Sequence, residues 1–336
     1  MDTLTHIVLG ACIGEAIAGK QLGKKALLLG ALAQNIPDLD FVASFWLPTS
    51  ADLLAHRGFT HSFLFVLLIT PILAFASRRV FYADDMTLKR WMLFWGLQVF
   101  IHIFIDAFNA YGTGWFEPFN HYRVSFNSMF VADPLFSIWP AIVMIILLIL
   151  KRTNIYRKQF SYIAMSVSAL YLLFGVINKI NIDDLVKKDL QANHISPQNL
   201  LTTPTPLNNL LWYVIAQTDS GYYIGYRSIF DNNKNINFRY VKRGDALLSS
   251  TTNKQDLNRM LTFSEGYYTA ELWHDTLVFN DLRFGEIRGW ELPNPKFVCH
   301  YYLQYPDANE MIVQRGRFAG WDKHAVEIFI KRIGGN

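Results

Sequence analysis

The sequence predicts an α-helical polytopic membrane domain followed by a smaller β-rich extracytoplasmic domain. The 336-residue chain is 51% hydrophobic and 15% aromatic but only 17% charged, less charged than an average soluble protein. Its long apolar runs lie almost entirely within residues 1–178, and the remainder reads as an ordinary soluble segment. Basic residues alternate from loop to loop along the apolar half, as in a multi-pass membrane protein. The expected division is a membrane-embedded helical domain at 1–179, a linker at 180–209 and a β-rich soluble domain at 210–336.

Taken in order, the first two apolar segments, 4–19 and 26–36, are short and rich in Gly and Ala, which suits close helix packing. The run 61–77 is slightly short and carries Pro71, a residue that neighbouring helices tolerate in a bundle. The runs 90–111, 130–150 and 159–178 each approach the ~20 residues needed to span hydrocarbon. Lys20, Lys24 and Lys25, then Arg78, Arg79, Lys89 and Arg90, then Lys151, Arg152, Arg157 and Lys158 occupy alternate loops. The positive-inside rule places that face in the cytoplasm. The opposite face then holds the N-terminus, residues 37–60, 112–129 and everything after 179.

Asn193 to Asn209 reads as a Pro/Asn/Thr-rich connector. Beyond it come short, partly alternating runs such as Ile236 to Tyr240 and Leu277 to Phe279. Turn signals at Asp219-Ser220-Gly221 and Ser264-Glu265-Gly266 punctuate the segment, a pattern expected of antiparallel strands. The net charge of +4 is small and sits in loops, which argues against nucleic-acid binding. Cys12 and Cys299, one in each half, suggest neither a disulfide nor a thiolate metal site.

The chemistry-bearing residues stand out against this apolar background. Asp38 and Asp40 follow Pro37; His56 and His61 flank Arg57-Gly58-Phe59-Thr60; His102 and Asp106 are four apart; and His6 lies near the N-terminus. Ionisable groups in or beside hydrocarbon are costly and mark function by default, and His with Asp is a donor set for zinc or manganese. In the orientation above, all of these residues fall near the non-cytoplasmic helix ends. His102 and Asp106 share a helix face and can reach one ion, or can simply hydrogen-bond to each other. Pro37 predicts a helix end or turn here, so Asp38 and Asp40 can converge on metal from an irregular segment, or one can cap the next helix. Gly58 permits a turn that brings His56 and His61 together. Arg57 suits a phosphate oxygen or, alternatively, lipid headgroups. His121 and Glu117 share an aromatic loop on the same face, Asp133 reads as a helix cap, and His194, His274, His300 and His324 lack ligand spacing.

The set Met1-Asp2-x-x-Thr5-His6, Pro37-Asp38-x-Asp40, His56-Arg57-Gly58-x-Thr60-His61 and His102-x-x-x-Asp106 resembles the YdjM family of membrane-bound metal-dependent hydrolases. Tyr111-Gly112-Thr113 and Asp133-Pro134-Leu135-Phe136 also resemble that family. Phe263 to Tyr268 and Asp281 to Gly285 are similar to the extra domain of its longer members. The ligand order is also similar to that of zinc-dependent phospholipase C and the S1/P1 nucleases. The resemblance implies a multi-pass protein of the bacterial inner membrane that hydrolyses with a divalent metal, zinc first and manganese second. It implies His6, Asp38, His56 or His61, His102 and Asp106 as ligands.

The expected activity is hydrolysis of a phosphoester or ester bond in a lipid or lipid-linked substrate at the outer face. The expected metal set is His6, Asp38, Asp40, His56, His61, His102 and Asp106. One of the two Asp38/Asp40 carboxylates ligates while the other, with Asp40 the candidate, orients the water or accepts its proton, and Arg57 stabilises negative charge. The alternative is a non-enzymatic metal-binding or metal-transporting membrane protein, which would place its ligands nearer mid-membrane. Haem ligation by two histidines is a weaker third reading, opposed by the clustered carboxylates.

Overall fold

Helix α1 (Thr3–Leu22) begins where the Asp2 carboxylate accepts a hydrogen bond from the Thr5 amide at 3.1 Å, an N-cap. It lies extremely close to α2 (Lys25–Gln34). A Cβ on Gly10 would sit 2.4 Å from the Gly30 carbonyl oxygen, and one on Gly14 would sit 2.2 Å from that of Ala26. Only glycine at these positions lets the two backbones touch. Gln98, from the later helix Leu88–Asp106, then ties that helix to the same place by donating to the Gly10 carbonyl at 3.0 Å.

The structure, a computed structural model, describes residues 1–81, 85–232, 235–249, 251–303, 311–312 and 316–335. After α2, Pro37 ends the regular helix and the chain bends by 56° into a 3₁₀ segment, Pro37–Phe45. Then come α3 (Thr49–Ala55), a 3₁₀ turn at Phe59–His61, α4 (Phe63–Val80), α5 (Leu88–Asp106), α6 (Pro134–Ile149) and α7 (Arg157–Ala192). Among the described residues three helices, α4, α5 and α7, are long and apolar enough to cross a membrane, and the bent pair after α1 would make a fourth.

These spans differ from the expected ones in instructive ways. The run 61–77 becomes a full 18-residue helix, with Ser62 capping it and Pro71 accommodated inside. The run 130–150 yields only 16 helical residues, short of the ~20 expected of a span. Asp133 fixes its start by accepting from the Leu135 amide at 2.9 Å. The run 90–111 stops at Asp106 because the following residues turn. Twelve of the 20 residues of α1 are buried inside the bundle. By contrast α4 buries only Ala74 and Ser77 and exposes Leu67, Leu68, Ile72 and Phe75, an apolar face suited to hydrocarbon.

The chain divides into two compact units. The first comprises Met1–Val42, Ala55–Val176 and Pro206–Asn208; the second comprises Ala43–Leu54, Ile177–Thr205 and Asn209–Asn336. In the second unit β1 (Asn199–Pro204), β2 (Leu211–Gln217), β3 (Gly221–Ser228) and β4 (Arg239–Lys242) form one antiparallel sheet in that order. After α8 (Asp245–Leu248) and α9 (Lys254–Phe263), a second antiparallel sheet follows from β5 (Tyr268–Trp273), β6 (Thr276–Glu286), β7 (Phe297–Tyr302) and β8 (Met311–Ile312). Helix α10 (Lys323–Ile333) closes the described chain.

The stretch 180–209, read as a linker, contains the end of α7 and strand β1. Ile182, Val186 and Leu190 recur every four residues and pack with Trp212, Val214 and Ala216 of β2. Tyr213 and Ile215, on the other face of β2, pack with Leu282 and Phe297. All seven residues of β2 are therefore buried, which erases the alternation that would have marked it. Of the run Ile236 to Tyr240, only the part from Arg239 pairs as a strand. Helices α9 and α10 are additions; Asn253 and Asp322 cap them by accepting from the Asp256 and Ala325 amides. At the end of β6 the buried Glu286 accepts from the Tyr226 hydroxyl at 2.9 Å and pairs with Arg239. Burial pushes its carboxyl up to about 7 against the opposing pull of Arg239.

Candidate metal centre

Three separate stretches of the first unit meet at one point. The bend after α2 delivers Asp38, the 3₁₀ turn before α4 delivers His61, and the last turn of α5 delivers His102 and Asp106. One donor atom from each of the four lies within 4.8 Å of the others. The His61 and His102 Nε2 atoms are 3.1 Å apart. Asp38 Oδ1 lies 3.5 and 3.4 Å from them, and Asp106 Oδ2 lies 3.5 and 3.6 Å from them. His61, His102 and Asp106 are fully buried, while Asp38 keeps 21% of its side chain exposed.

The hydrogen-bond partners fix which imidazole nitrogens carry protons. His102 Nδ1 faces the Gln34 backbone carbonyl, which can only accept, so Nδ1 is the protonated nitrogen of the neutral ring. The Thr60 hydroxyl gives its hydrogen to Asp40 Oδ2 at 3.1 Å and so accepts from His61 Nδ1 at 3.1 Å. In both rings the lone pair is therefore on Nε2. Two imidazole lone pairs and two carboxylate oxygens converge with no hydrogen between them. Asp106 Oδ2 is buried without a hydrogen-bond donor; Arg57 Nε approaches to 3.2 Å but is not aligned for a hydrogen bond. Two cations already meet Asp106, the Met1 amino group at Oδ1 and Arg57 at Oδ2, and a further cation among the four acceptors would satisfy the rest. Ion–ligand bonds of ~2.0–2.2 Å in a tetrahedral shell put neighbouring ligand atoms roughly 3.3–3.6 Å apart, close to the observed spacings. These residues fit a divalent metal.

Residues 1–182 match the YdjM inner membrane protein family. This chain belongs to that family. It is 36% identical over 144 residues to "Uncharacterized protein YfhP" of Bacillus subtilis (strain 168), covering 40% of this chain and 42% of that protein. It is 29% identical over 122 residues to "Inner membrane protein YbcI" of Escherichia coli (strain K12), covering 36% of this chain and 69% of that protein. The match therefore spans less than half the length of YfhP. No solved structure matches significantly.

The other residues singled out in this YdjM-family chain surround the four. In a 3₁₀ helix, with about three residues per turn, Asp38 and Asp40 must point to different sides. Asp40 accepts from the Arg57 amide at 2.8 Å and from Thr60, and meets His56 Nδ1 at 3.0 Å. It also stands 3.5 Å from His61 Nδ1, so it organises the loop that presents His61 instead of joining the cluster. His56 is likewise outside the cluster, with 32% of its side chain exposed. His6 stacks on the His102 ring at 3.8 Å and places Nε2 3.1 Å from Asp106 Oδ1.

Arg57 departs furthest from the expected role. It is buried and directs its guanidinium inward, to Asp106, to Asn109 Oδ1 at 3.0 Å and to the Met1 carbonyl at 3.2 Å, over the Tyr111 ring. It steadies Asp106 rather than presenting a free fork to a phosphate. The left-handed turn also falls on Arg57 itself (φ 57°), not on Gly58; such a conformation is uncommon for a side-chain-bearing residue. His121 is 80% exposed, pairs with Glu117 at 2.9 Å and does not join the cluster. Gln34 went unread in the sequence although it serves twice: its carbonyl holds His102, and its side chain meets His6 Nδ1 at 3.2 Å. A lone amide at the end of an apolar helix was its only signal.

Proposed function

We propose that this protein is a metal-dependent hydrolase of a phosphoester or ester bond in a membrane lipid or lipid-linked substrate. The observation that carries the reading is the convergence of two imidazole lone pairs and two carboxylate oxygens with no donor between them. His61, His102, Asp38 and Asp106 would hold the ion. A divalent ion in this shell would supply Lewis acidity towards a phosphoryl or acyl oxygen.

The chain's own contribution is positional and protolytic. Asp40 holds His56 through Nδ1, and 32% of the His56 side chain is exposed, which suits its Nε2 to general acid–base work. His56 Nε2 takes the proton of the attacking water and returns it to the departing alkoxide, so that water is added across the cleaved bond. Asp38 is the one exposed member of the four, which makes its side the approach. Leu39, Phe41 and Phe59 are exposed close by in sequence and suit an acyl chain. The basic loops at the other helix ends support an outer-face location for this end.

The test uses purified, metal-loaded protein and a panel of phosphodiester and carboxylic ester lipids. His56→Ala is expected to keep its metal and lose roughly 10²–10⁴-fold in turnover, the usual weight of acid–base catalysis. Absence of hydrolysis by wild-type protein that holds stoichiometric metal would remove the enzymatic reading. A second reading then stands, because four protein ligands fill a tetrahedral shell as in structural zinc sites.

A further inference from the structure

At the opposite ends of α1 and α5 the first unit holds a cavity of about 490 Å³. Lys20, Arg90, Arg152, Arg157 and Lys158 line it, and Glu15 is its single acidic wall. Glu15 is consumed by Arg157, which donates Nε and one NH₂ group to its two oxygens at 2.8 and 2.7 Å. Both partners are buried, and Arg157 also donates to the Leu147 and Leu150 carbonyls. The pair is neutral and forms a floor.

Four cations remain over it, and among the described residues none has a carboxylate within ion-pairing distance. Arg152 donates to the Lys20 and Gln21 carbonyls at 2.9 and 2.8 Å, and Arg90 donates to that of Ile17 at 3.2 Å. These contacts fix both guanidiniums on the C-terminal end of α1 without neutralising them. Lys158 lies over the Tyr162 ring. Four like charges around one hollow repel one another unless an anion is present. Beside the hollow, Ile155 and Tyr156 are 78% and 54% exposed, a rim suited to acyl chains and the headgroup boundary.

We propose that this cavity is a binding site for a phosphate-bearing anion, with the headgroup of an anionic phospholipid as its source. Basic hollows between membrane helices are suited to such headgroups. The site is separate from the His/Asp cluster and does not depend on the hydrolase reading.

The full-length protein is equilibrated in vesicles of mixed phosphatidylglycerol and phosphatidylcholine, extracted, and its retained lipid quantified by mass spectrometry. Wild type is expected to retain phosphatidylglycerol preferentially. The variant Lys20→Gln/Lys158→Gln avoids the two arginines that hold α1, and its retention is expected to fall roughly thirtyfold, the scale of two lysines near an anionic surface. The control Lys24→Gln/Lys25→Gln removes two charges of the same loop that do not line the cavity and is expected to behave as wild type. Equal losses in both variants would show a diffuse basic surface and overturn the site. In a second arm inorganic pyrophosphate is added to detergent-solubilised protein and unfolding is followed. Stabilisation of wild type alone, without lipid retention, would keep the phosphate site but overturn the lipid source. No effect in either arm would overturn the proposal.

Discussion

His61 and His102 bring their Nε2 atoms to 3.1 Å while Thr60 and the Gln34 carbonyl occupy both Nδ1 atoms. Removing one member therefore disturbs a shared centre. His102→Ala and Asp106→Asn are each expected to abolish stoichiometric metal in purified protein, read by elemental analysis. His121→Ala, outside the cluster, is expected to leave it intact. Unchanged metal in both cluster variants would refute the site.

Asp40 acts one step further out, through His61 and the loop that carries it. Asp40→Asn is expected to weaken metal retention against a competing chelator by about 10–100-fold, the usual effect of losing a carboxylate behind a ligand histidine. Gln34→Ala keeps the backbone carbonyl that holds His102 and is expected to have a smaller effect. A larger loss in Gln34→Ala than in Asp40→Asn would contradict this ordering.

Glu15 and Arg157 form a buried pair, and breaking it should cost more than deleting it. Glu15→Gln leaves a buried guanidinium uncompensated, at about 3–5 kcal/mol. The double variant Glu15→Met/Arg157→Met is expected to be markedly more stable than Glu15→Gln in thermal unfolding. If the double variant is the less stable of the two, the pair is contributing net stability.

In the second unit, Glu286 supplies a pH signature. Its carboxyl sits at about 7 against an ordinary value of 4.5, so between these values the folded state binds a proton that the unfolded state has released. Stability from this group is complete below about 4.5 and is lost as pH rises through about 7, by a few kcal/mol at most. Glu286→Gln keeps the neutral form at all pH values. Its melting temperature relative to wild type is expected to climb between pH 4.5 and 7.5; a constant difference would exclude Glu286 as the source.

The α1–α2 contact has no room for a side chain. Gly14→Leu would drive atoms into the Ala26 carbonyl and is expected to lower thermal stability by more than the ~1–3 kcal/mol typical of overpacking. Gly266→Ala tests backbone strain without crowding, since nothing lies within 4 Å of its Cβ position. Its cost is expected to be smaller.

Much of the centre was legible because its residues break an apolar background: Asp38, His61, His102 and Asp106 all stood out by type. Their arrangement was not, because two carboxylates separated by one residue cannot be assigned to faces until Pro37 is known to open a 3₁₀ segment. Arg57 could be noticed but not oriented, since its partners Asn109 and Met1 are remote in sequence. The same distance hid Glu15, whose partner lies 142 residues away. In the second unit, β2 was obscured by burial on both faces, and α7 ran on through what composition alone marked as a linker.

The scattering of the four donors along the chain has a consequence for biogenesis. Asp38 and His61 leave the ribosome well before His102 and Asp106, which sit at the far end of α5. An ion can be captured by the whole set only after α5 has been inserted and has docked against α1 and α2. Metal uptake would then act as a completion mark for the helical core, made once and late, and a chain arrested before α5 would carry none.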